Sequence, residues 1–144
     1  MTVQNHNNRI LEYPSQGQLL VAADLHWNRE DFDRVKEIFL EKSAENEQTY
    51  LLFLGDLVHG PKIGEEYVTF PTYLDESEYI VDGVMELMQT GRVHSLLGNH
   101  EHGHIGGPHT SKFWSDEVEN LEKVLSHGKK DLFNQFFRTM PLIA

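Results

Sequence analysis

The sequence predicts an α/β fold in which a mostly parallel sheet is flanked by helices. Three short apolar segments, 18–23, 50–54 and 92–97, have the length and composition of buried strands. Amphipathic segments of helical length separate each of them from the next. Because strands that alternate with helices form βαβ units, we expect the three strands to lie side by side and parallel.

The chain is expected to form one domain, because 144 residues are enough for one hydrophobic core and too few for two. We assign residues 1–17 to an irregular or edge-strand lead-in and residues 18–144 to the domain. The first nine residues are polar, and no apolar run approaches the ~18 residues of a membrane span. We therefore expect a cytoplasmic protein without membrane contacts.

Charge and cysteine content narrow the possible functions. Twelve basic and 23 acidic side chains give a net charge of −11, which repels nucleic acids and anionic membranes. The chain has no cysteine, which excludes disulfides, thiolate metal sites and cysteine nucleophiles. Histidines and carboxylates therefore remain as the metal ligands that the sequence offers.

The first helix is predicted over 29–44, shortly after the first strand. Asn28 is its expected N-cap, with Asp31 three residues further on. Apolar residues recur along this segment at helical spacing; they are Phe32, Val35, Ile38, Phe39 and Leu40. The helix should cover one face of the sheet.

An insertion loop near the site is predicted over 63–74, because glycine and proline break regular structure after the second strand. Asp75 and Glu78 resemble a capping box, which predicts a helix that ends at Gly91. Several aromatic residues could line a substrate cleft, although ordinary packing is the favoured interpretation; they are Tyr67, Phe70, Tyr73, Phe113 and Trp114.

A flexible polar loop is predicted after the third strand. It contains His102, His104 and His109, which are expected to be solvated unless they replace metal ligands that the chain otherwise lacks. Ser115 is the expected cap of the next helix, and Gly128 is expected to close it.

The last part of the chain is predicted to form a short helix over 130–138 and then to begin a strand at 140–144. No sequence follows that could pair with this apolar segment. An exposed strand edge favours association with another copy, so self-association is expected.

Each predicted strand is followed by a polar cluster, at 24–26, 55–59 and 98–101. Ligands of parallel sheets bind at the carboxyl ends of the strands, where these clusters would meet. A carboxylate at the end of an apolar strand is costly unless it is paired, hydrogen-bonded or bound to a metal. The clusters therefore predict a metal site at this edge.

The residue types suggest roles in a site for two ions. Asp24 and His26 can converge on one ion, with the mixed oxygen and nitrogen donors that suit Mn, Fe, Zn or Ni. Asp56 could bridge two ions roughly 3.5 to 4 Å apart. Asn99 would then bind the second ion, and His100 is a candidate acid or phosphate contact.

Each cluster also has an ordinary structural interpretation when it is taken alone. Asp24 could cap a helix, Asp56 could occupy a turn, and 98–101 could be a solvated turn. Because three such clusters occur, each at the end of a strand, purely structural roles for all three together are much less favoured.

The segments ADLH, GDLVHG and LLGNHEHG resemble the DxH, GDxx and GNH(E/D) motifs of the calcineurin-like metallophosphoesterases. GNHE resembles in particular the serine/threonine phosphoprotein phosphatase branch. The similarity covers roughly residues 18–144 and implies a partial metallophosphoesterase sandwich.

The resemblance implies roles for five residues. Asp24 and His26 would bind the first metal ion, Asp56 would bridge both ions, and Asn99 would bind the second. His100 would be the catalytic histidine. The implied reaction is hydrolysis of a phosphate ester, on a small molecule or a protein, by a hydroxide bound to two ions such as Mn, Fe or Zn.

The sequence departs from the phosphoprotein phosphatases at three positions. His59 and Gly60 replace an Asp and an Arg, and Leu97 replaces a frequent Arg, so the phosphate-clamping arginines are missing. The family takes further histidine ligands from later strands, so we expect this chain to be the N-terminal part. A noncatalytic remnant that binds metal weakly or serves as an interaction module is the alternative, and metal content distinguishes the two.

Overall fold

The structure, a computed structural model, describes residues 2–7, 9–60, 76–112 and 115–143. Its strands are β1 (Gln4–His6), β2 (Ile10–Glu12), β3 (Gln18–Ala22), β4 (Thr49–Phe53), β5 (Val93–Ser95), β6 (Ser111–Lys112) and β7 (Ser115–Asp116). Its helices are α1 (Arg29–Glu45), α2 (Ser77–Met88), α3 (Asn99–His104), α4 (Glu117–Val124) and α5 (Lys129–Thr139).

The central sheet has the order β3, β4, β5, and both of its strand pairs are parallel. Ala22 is paired with Phe53, and Phe53 is paired with Ser95, so the three strands end at the same level. This confirms the predicted parallel sheet flanked by helices. The third strand is shorter than predicted, with three residues in place of 92–97.

Helix α1 begins where the sequence predicts. The Asn28 side chain accepts a hydrogen bond from the backbone N–H of Asp31 at 3.2 Å, which confirms Asn28 as the N-cap. Helices α1 and α2 pack against each other and against β4 and β5 respectively. At their crossing, Gly83 lies against the Phe32 ring, where an added Cβ would stand 2.5 Å from the ring.

Helix α2 begins at Ser77, with Glu76 in the N-cap position and no side-chain cap hydrogen bond. The predicted cap, Asp75, lies outside the described residues, as do the insertion loop over 63–74 and its aromatic residues. Phe113 and Trp114 also lie outside them. Glu78 accepts a hydrogen bond from the backbone N–H of Ser126 at 2.9 Å, which ties α2 to the end of α4.

Three predictions for the region after β5 were wrong. The segment predicted as a flexible loop begins with helix α3, which contains His102 and His104. Asp116, and not Ser115, caps α4, because its side chain accepts the backbone N–H of Glu119 at 3.0 Å. Gly128 does not close α4, which ends at Val124; it stands at the start of α5.

The two ends of the described chain meet. Strands β1 and β2 form an antiparallel pair, and Ile143 forms a parallel bridge with Ile10. The backbone N–H of Leu97 also donates to the carbonyl of Pro141 at 2.9 Å. The final segment therefore has backbone partners within the chain, contrary to the prediction, and self-association remains a prediction.

The hydrophobic core joins the sheet to both groups of helices. Its fully buried members include large aromatic side chains from α1, β4 and α5; they are Phe32, Phe39, Phe53, Phe133 and Phe137. Among the helices of the described residues, none has the length and apolar character needed to cross a bilayer.

Candidate active site

The carboxyl edge of the central sheet concentrates unusual backbone conformations. Among the described residues, five non-glycine residues have positive φ angles. Four of them follow β3 or β4: Asp24 at 53°, His26 at 51°, Asp56 at 54° and His59 at 76°. Left-handed conformations cost L-residues roughly 1–2 kcal/mol each. Such strain clusters at functional sites, so this edge is the strongest candidate site by backbone geometry.

Asp24 and His26 present their side chains to each other. The distance from Nε2 of His26 to a carboxylate oxygen of Asp24 is 3.9 Å. Nδ1 of His26 lies 3.2 Å from the carbonyl oxygen of Val58. A carbonyl only accepts, so Nδ1 carries a proton and Nε2 is the nitrogen that faces Asp24. This is the orientation of a metal-binding histidine whose second nitrogen is held by the protein backbone.

Asp56 links the other two loops. Its carbonyl accepts the backbone N–H of His26 at 2.7 Å, and its Oδ1 accepts the backbone N–H of His100 at 3.1 Å. The rings of His26 and His100 meet edge to face, with 4.7 Å between their centroids. Asn99 is exposed and is placed beside this group by its chain neighbour His100.

Two glycines allow the loops after β4 and β5 to approach each other. A Cβ on Gly98 would stand 2.3 Å from the backbone nitrogen and from Oδ1 of Asp56. A Cβ on Gly55, which has a φ of 89°, would stand 2.4 Å from the nitrogen of Gly98. Because these neighbours are mostly backbone atoms, a side chain at either position would push the two loops apart.

Glu101 holds the same two loops together from inside the protein. This carboxylate is 0% exposed. One of its oxygens accepts the N–H groups of Leu57 at 2.7 Å and Val58 at 3.3 Å, and the other accepts those of Asp56 at 2.8 Å and Gly98 at 3.0 Å. Burial raises the pKa of Glu101, and the backbone donors oppose that rise.

A histidine cluster lies next to this edge. Nδ1 of His59 is 2.7 Å from Nδ1 of His100, and Nε2 of His59 is 2.8 Å from Nε2 of His104. Nδ1 of His104 is 3.3 Å from a carboxylate oxygen of Glu122 on α4. The Glu122 carboxylate also binds the Lys130 ammonium at 2.5 Å. The histidines thus form a line from the sheet edge to an ion pair between α4 and α5.

Burial keeps the inner histidines uncharged. It is the main cause that lowers the pKa of His59 to about 3, and the neighbouring histidines His104 and His100 lower it further. Burial also lowers the pKa of His104, against the opposing effect of Glu122. Burial raises the pKa of Glu122, but hydrogen bonds from Lys130 and His104 outweigh it and lower that pKa overall.

One group of side chains in the cluster has the composition of a metal site. His59, His100 and Glu117 each offer one ligand atom, and these atoms lie within 4.8 Å of one another. Glu117 is buried at the first turn of α4, with a carboxylate oxygen 3.9 Å from Nδ1 of His100.

The structure places the sequence-predicted residues at one edge of the sheet, but not all of them contact one another. Contacts connect His26 with Asp24, Asp56 and His100, whereas Asn99 is joined to them through the chain. The interpretation of Asp24 as a helix cap fails, because Asn28 caps α1.

Several buried polar residues were missed or misjudged in the sequence. His104 was expected to lie in a flexible polar loop, and a solvated turn was one interpretation of 98–101. Both His104 and Glu101 are buried. Glu117 and Glu122 were not recognised at all. The available signal was the four-residue spacing of His100 and His104, which places both on one face of a helix.

His109 is not part of the line formed by His100, His59 and His104. It is exposed and forms an ion pair with Asp116 at 2.7 Å. That hydrogen bond raises the pKa of His109 and lowers the pKa of Asp116. His102 is also exposed, with its ring against Gly107.

A parallel sheet that carries carboxylate and imidazole donors at its carboxyl edge is suited to a metal-dependent enzyme. The family model of the calcineurin-like phosphoesterases matches residues 17–144, and the chain belongs to that family. The curated proteins and the solved structures contain no match to the chain. The members of this family are phosphoesterases that use divalent metals.

Proposed function

We propose that this protein is a metal-dependent phosphoesterase that hydrolyses a phosphate ester carried by a small molecule or a protein. The observation that carries the proposal is the convergence of Asp24, His26 and Asp56 in left-handed conformations at one sheet edge. The chain's membership of the calcineurin-like phosphoesterases supports it.

The residues at this edge fit the ions that the proposal requires. Asp24 and His26 would hold a first ion, Asp56 would be shared by two ions, and Asn99 would serve the second. Nε2 of His26 faces Asp24, as a ligand pair requires. Mixed carboxylate, imidazole and amide donors favour Mn, Fe or Zn. When bound, such ions supply the nucleophilic water and neutralise the phosphoryl oxygens.

His100 would transfer the proton at the leaving-group oxygen. Its position is set by the backbone hydrogen bond to Asp56 and by the edge-to-face contact with the His26 ring. Both contacts hold the imidazole beside the residues that would bind the ions. A positioned general acid or base contributes typically ~10²- to 10⁴-fold to rate.

The substrate must be compatible with an acidic protein. A net charge of −11 repels an anionic substrate at long range, and bound cations would reverse that field locally. The GNHE segment supports a relationship to the serine/threonine phosphoprotein phosphatase branch, whereas Leu97 and Gly60 stand where that branch has arginines. We therefore propose that a phosphopeptide and a small phosphate ester be compared directly as substrates.

The test is an assay of the full chain with Mn²⁺ and p-nitrophenyl phosphate, together with a metal analysis. His100→Ala should lower kcat by ~10²-fold or more while the metal content stays the same. His127→Ala is the matched control, because this exposed histidine lies outside the cluster. Equal activity of the His100 variant and the parent would remove His100 from the mechanism. A chain that holds no metal and hydrolyses nothing would favour the noncatalytic alternative.

A further inference from the structure

We propose that Glu122 sets the ring tautomer of His100 from a distance, through the two histidines between them. In this arrangement the proton of His100 is held on Nδ1, and Nε2 is the unprotonated nitrogen. Glu122, His104 and His59 are then positioning residues, and His100 acts on substrate. The inference rests on the proposed role of His100 in catalysis.

The line of hydrogen bonds from Glu122 to His100 starts at a carboxylate, which, when it is ionised, can only accept hydrogen bonds. Glu122 is ionised, since Lys130 and His104 both stabilise its charged form. Nδ1 of His104 therefore donates to it across 3.3 Å. The ion pair with Lys130 keeps this carboxylate at the outer end of the line.

The proton on Nδ1 of His104 determines the next link. His104 is buried and uncharged, so it carries one ring proton and its Nε2 has a lone pair. Nε2 of His59 lies 2.8 Å away and must be the donor. His59 is 4% exposed and also uncharged, so its own proton is now placed on Nε2.

The third link reaches the candidate active site. Since the proton of His59 is on Nε2, its Nδ1 has a lone pair, and Nδ1 of His100 at 2.7 Å must donate to it. The Thr110 hydroxyl, 3.3 Å from the same nitrogen, is a weaker second donor. Each of the three links then has one donor and one acceptor.

The distance between the facing nitrogens of His59 and His100 matches a hydrogen bond. Two imidazole nitrogens bound to one tetrahedral Zn²⁺ at about 2.0–2.1 Å would be roughly 3.3 Å apart. The observed separation of 2.7 Å is that of a hydrogen bond. An ion at His59, His100 and Glu117 would require the two rings to move apart.

The tautomer matters because it decides which nitrogen of His100 can exchange protons with a substrate. With Nδ1–H bonded to His59, Nε2 is the nitrogen of His100 that exchanges protons with the site. It must first accept a proton, from a water molecule, before it can donate one to the leaving-group oxygen. The line also anchors the ring against rotation, because flipping it would break the bond to a buried partner. Loss of the outer partner of a metal-binding histidine typically costs ~10- to 100-fold in metal affinity or activity, and we expect a loss of similar size for His100.

Ring ¹⁵N NMR of the full chain tests the tautomers directly, because protonated and unprotonated ring nitrogens differ strongly in chemical shift. We expect Nδ1–H on His104, Nε2–H on His59 and Nδ1–H on His100. Glu122→Leu removes the acceptor and should mix the tautomers of all three. Lys123→Met, an exposed change on the same helix as Glu122, keeps the carboxylate and its ion pair and should leave the tautomers unchanged. Circular dichroism establishes that both variants are folded.

Kinetics provide the second readout. Glu122→Leu should lower kcat on p-nitrophenyl phosphate by ~10-fold or more, with KM and Mn²⁺ content unchanged. Lys123→Met should retain the parent kcat.

A proton on Nδ1 of His59 or on Nε2 of His100 in the parent protein would overturn the proposal, even if Glu122→Leu does not fold. Coordination of added Zn²⁺ by the Nδ1 atoms of His59 and His100 would also overturn it. If the parent hydrolyses nothing, the proposed function fails, while the NMR result still decides the tautomers.

Discussion

Two regions of this molecule are equally well buried and are held together by different forces. The apolar layer consists of α1, α2 and β4, with Phe32, Phe39 and Phe53 at its centre. The polar layer consists of the loops after β4 and β5 with α3 and α4, and contains Glu101, His59 and His104. The first depends on buried area and close packing, and the second depends on directional hydrogen bonds.

The two layers should respond differently to mutation. A change in the apolar layer should alter stability and leave the site chemistry intact in the folded molecules. A change in the polar layer should alter stability and site together, because the same bonds position the loops that carry Asp56 and His100.

The largest expected loss of stability comes from the apolar layer. Phe32→Ala removes a ring that is 0% exposed and packs on Gly83 and Tyr79. It should lower the free energy of unfolding by about 3–5 kcal/mol through the cavity it leaves. Urea unfolding measures the loss. Mn²⁺ bound per folded chain should stay the same, and a parallel loss of metal would contradict the separation of the two layers.

Glu101→Gln should produce the largest loss in the polar layer. The substitution preserves the shape of the side chain. Its NH2 group, however, would face two backbone N–H groups whose hydrogen bonds a carboxylate oxygen accepts in the parent. Each unsatisfied donor costs about 1–3 kcal/mol, so the unfolding free energy should fall by about 3 kcal/mol. Metal binding should weaken as well.

The matched control for Glu101→Gln is Glu119→Gln, an exposed change on α4. If both variants keep the parent's stability and metal affinity, Glu101 does not hold the loops.

Acid should destabilise the polar layer in particular. His59 has its pKa lowered to about 3 in the folded protein, whereas an unfolded histidine titrates near 6.5. Below pH 6.5 the unfolded chain binds a proton that the folded chain does not, so stability should fall with decreasing pH down to about 3. The lowered pKa of His104 acts in the same direction.

This pH effect can be isolated by removing one titrating group. One histidine contributes up to ~1.4 kcal/mol per pH unit to the slope of stability against pH. His59→Asn should therefore give a shallower slope between pH 6.5 and 5 in urea unfolding, whatever its effect at pH 7.5. His127→Asn should keep the parent slope. An unchanged slope for His59→Asn would mean that this histidine is charged when folded.

The sequence predicted the apolar layer well because its pattern is periodic. Helical spacing from Phe32 to Phe39 and the cap at Asn28 identify α1 without any knowledge of tertiary structure. The parallel sheet follows from the same alternation of strands and helices. The candidate site residues were predicted because polar residues interrupt each apolar strand at its end.

The polar layer was harder to predict because its residues look like surface residues. Glu101 and His104 are buried only because distant groups satisfy them: backbone N–H donors from the loop after β4 for the first, and Glu122 and His59 for the second. Such partners are up to 45 positions away in the chain, so no local pattern reveals them. Helix α3 was missed for the same reason, since its inward face is polar.

We propose that the carboxyl edge of the sheet binds two metal ions that share Asp56. The most direct measurement is elemental analysis of the Mn²⁺-loaded full chain and of Asp56→Asn. This variant preserves an oxygen that can accept the N–H of His100. Asp131→Asn, on α5, is the matched control. We predict about two ions per chain in the parent and in the control, and a sharp loss in Asp56→Asn. Unchanged occupancy in Asp56→Asn would contradict the claim.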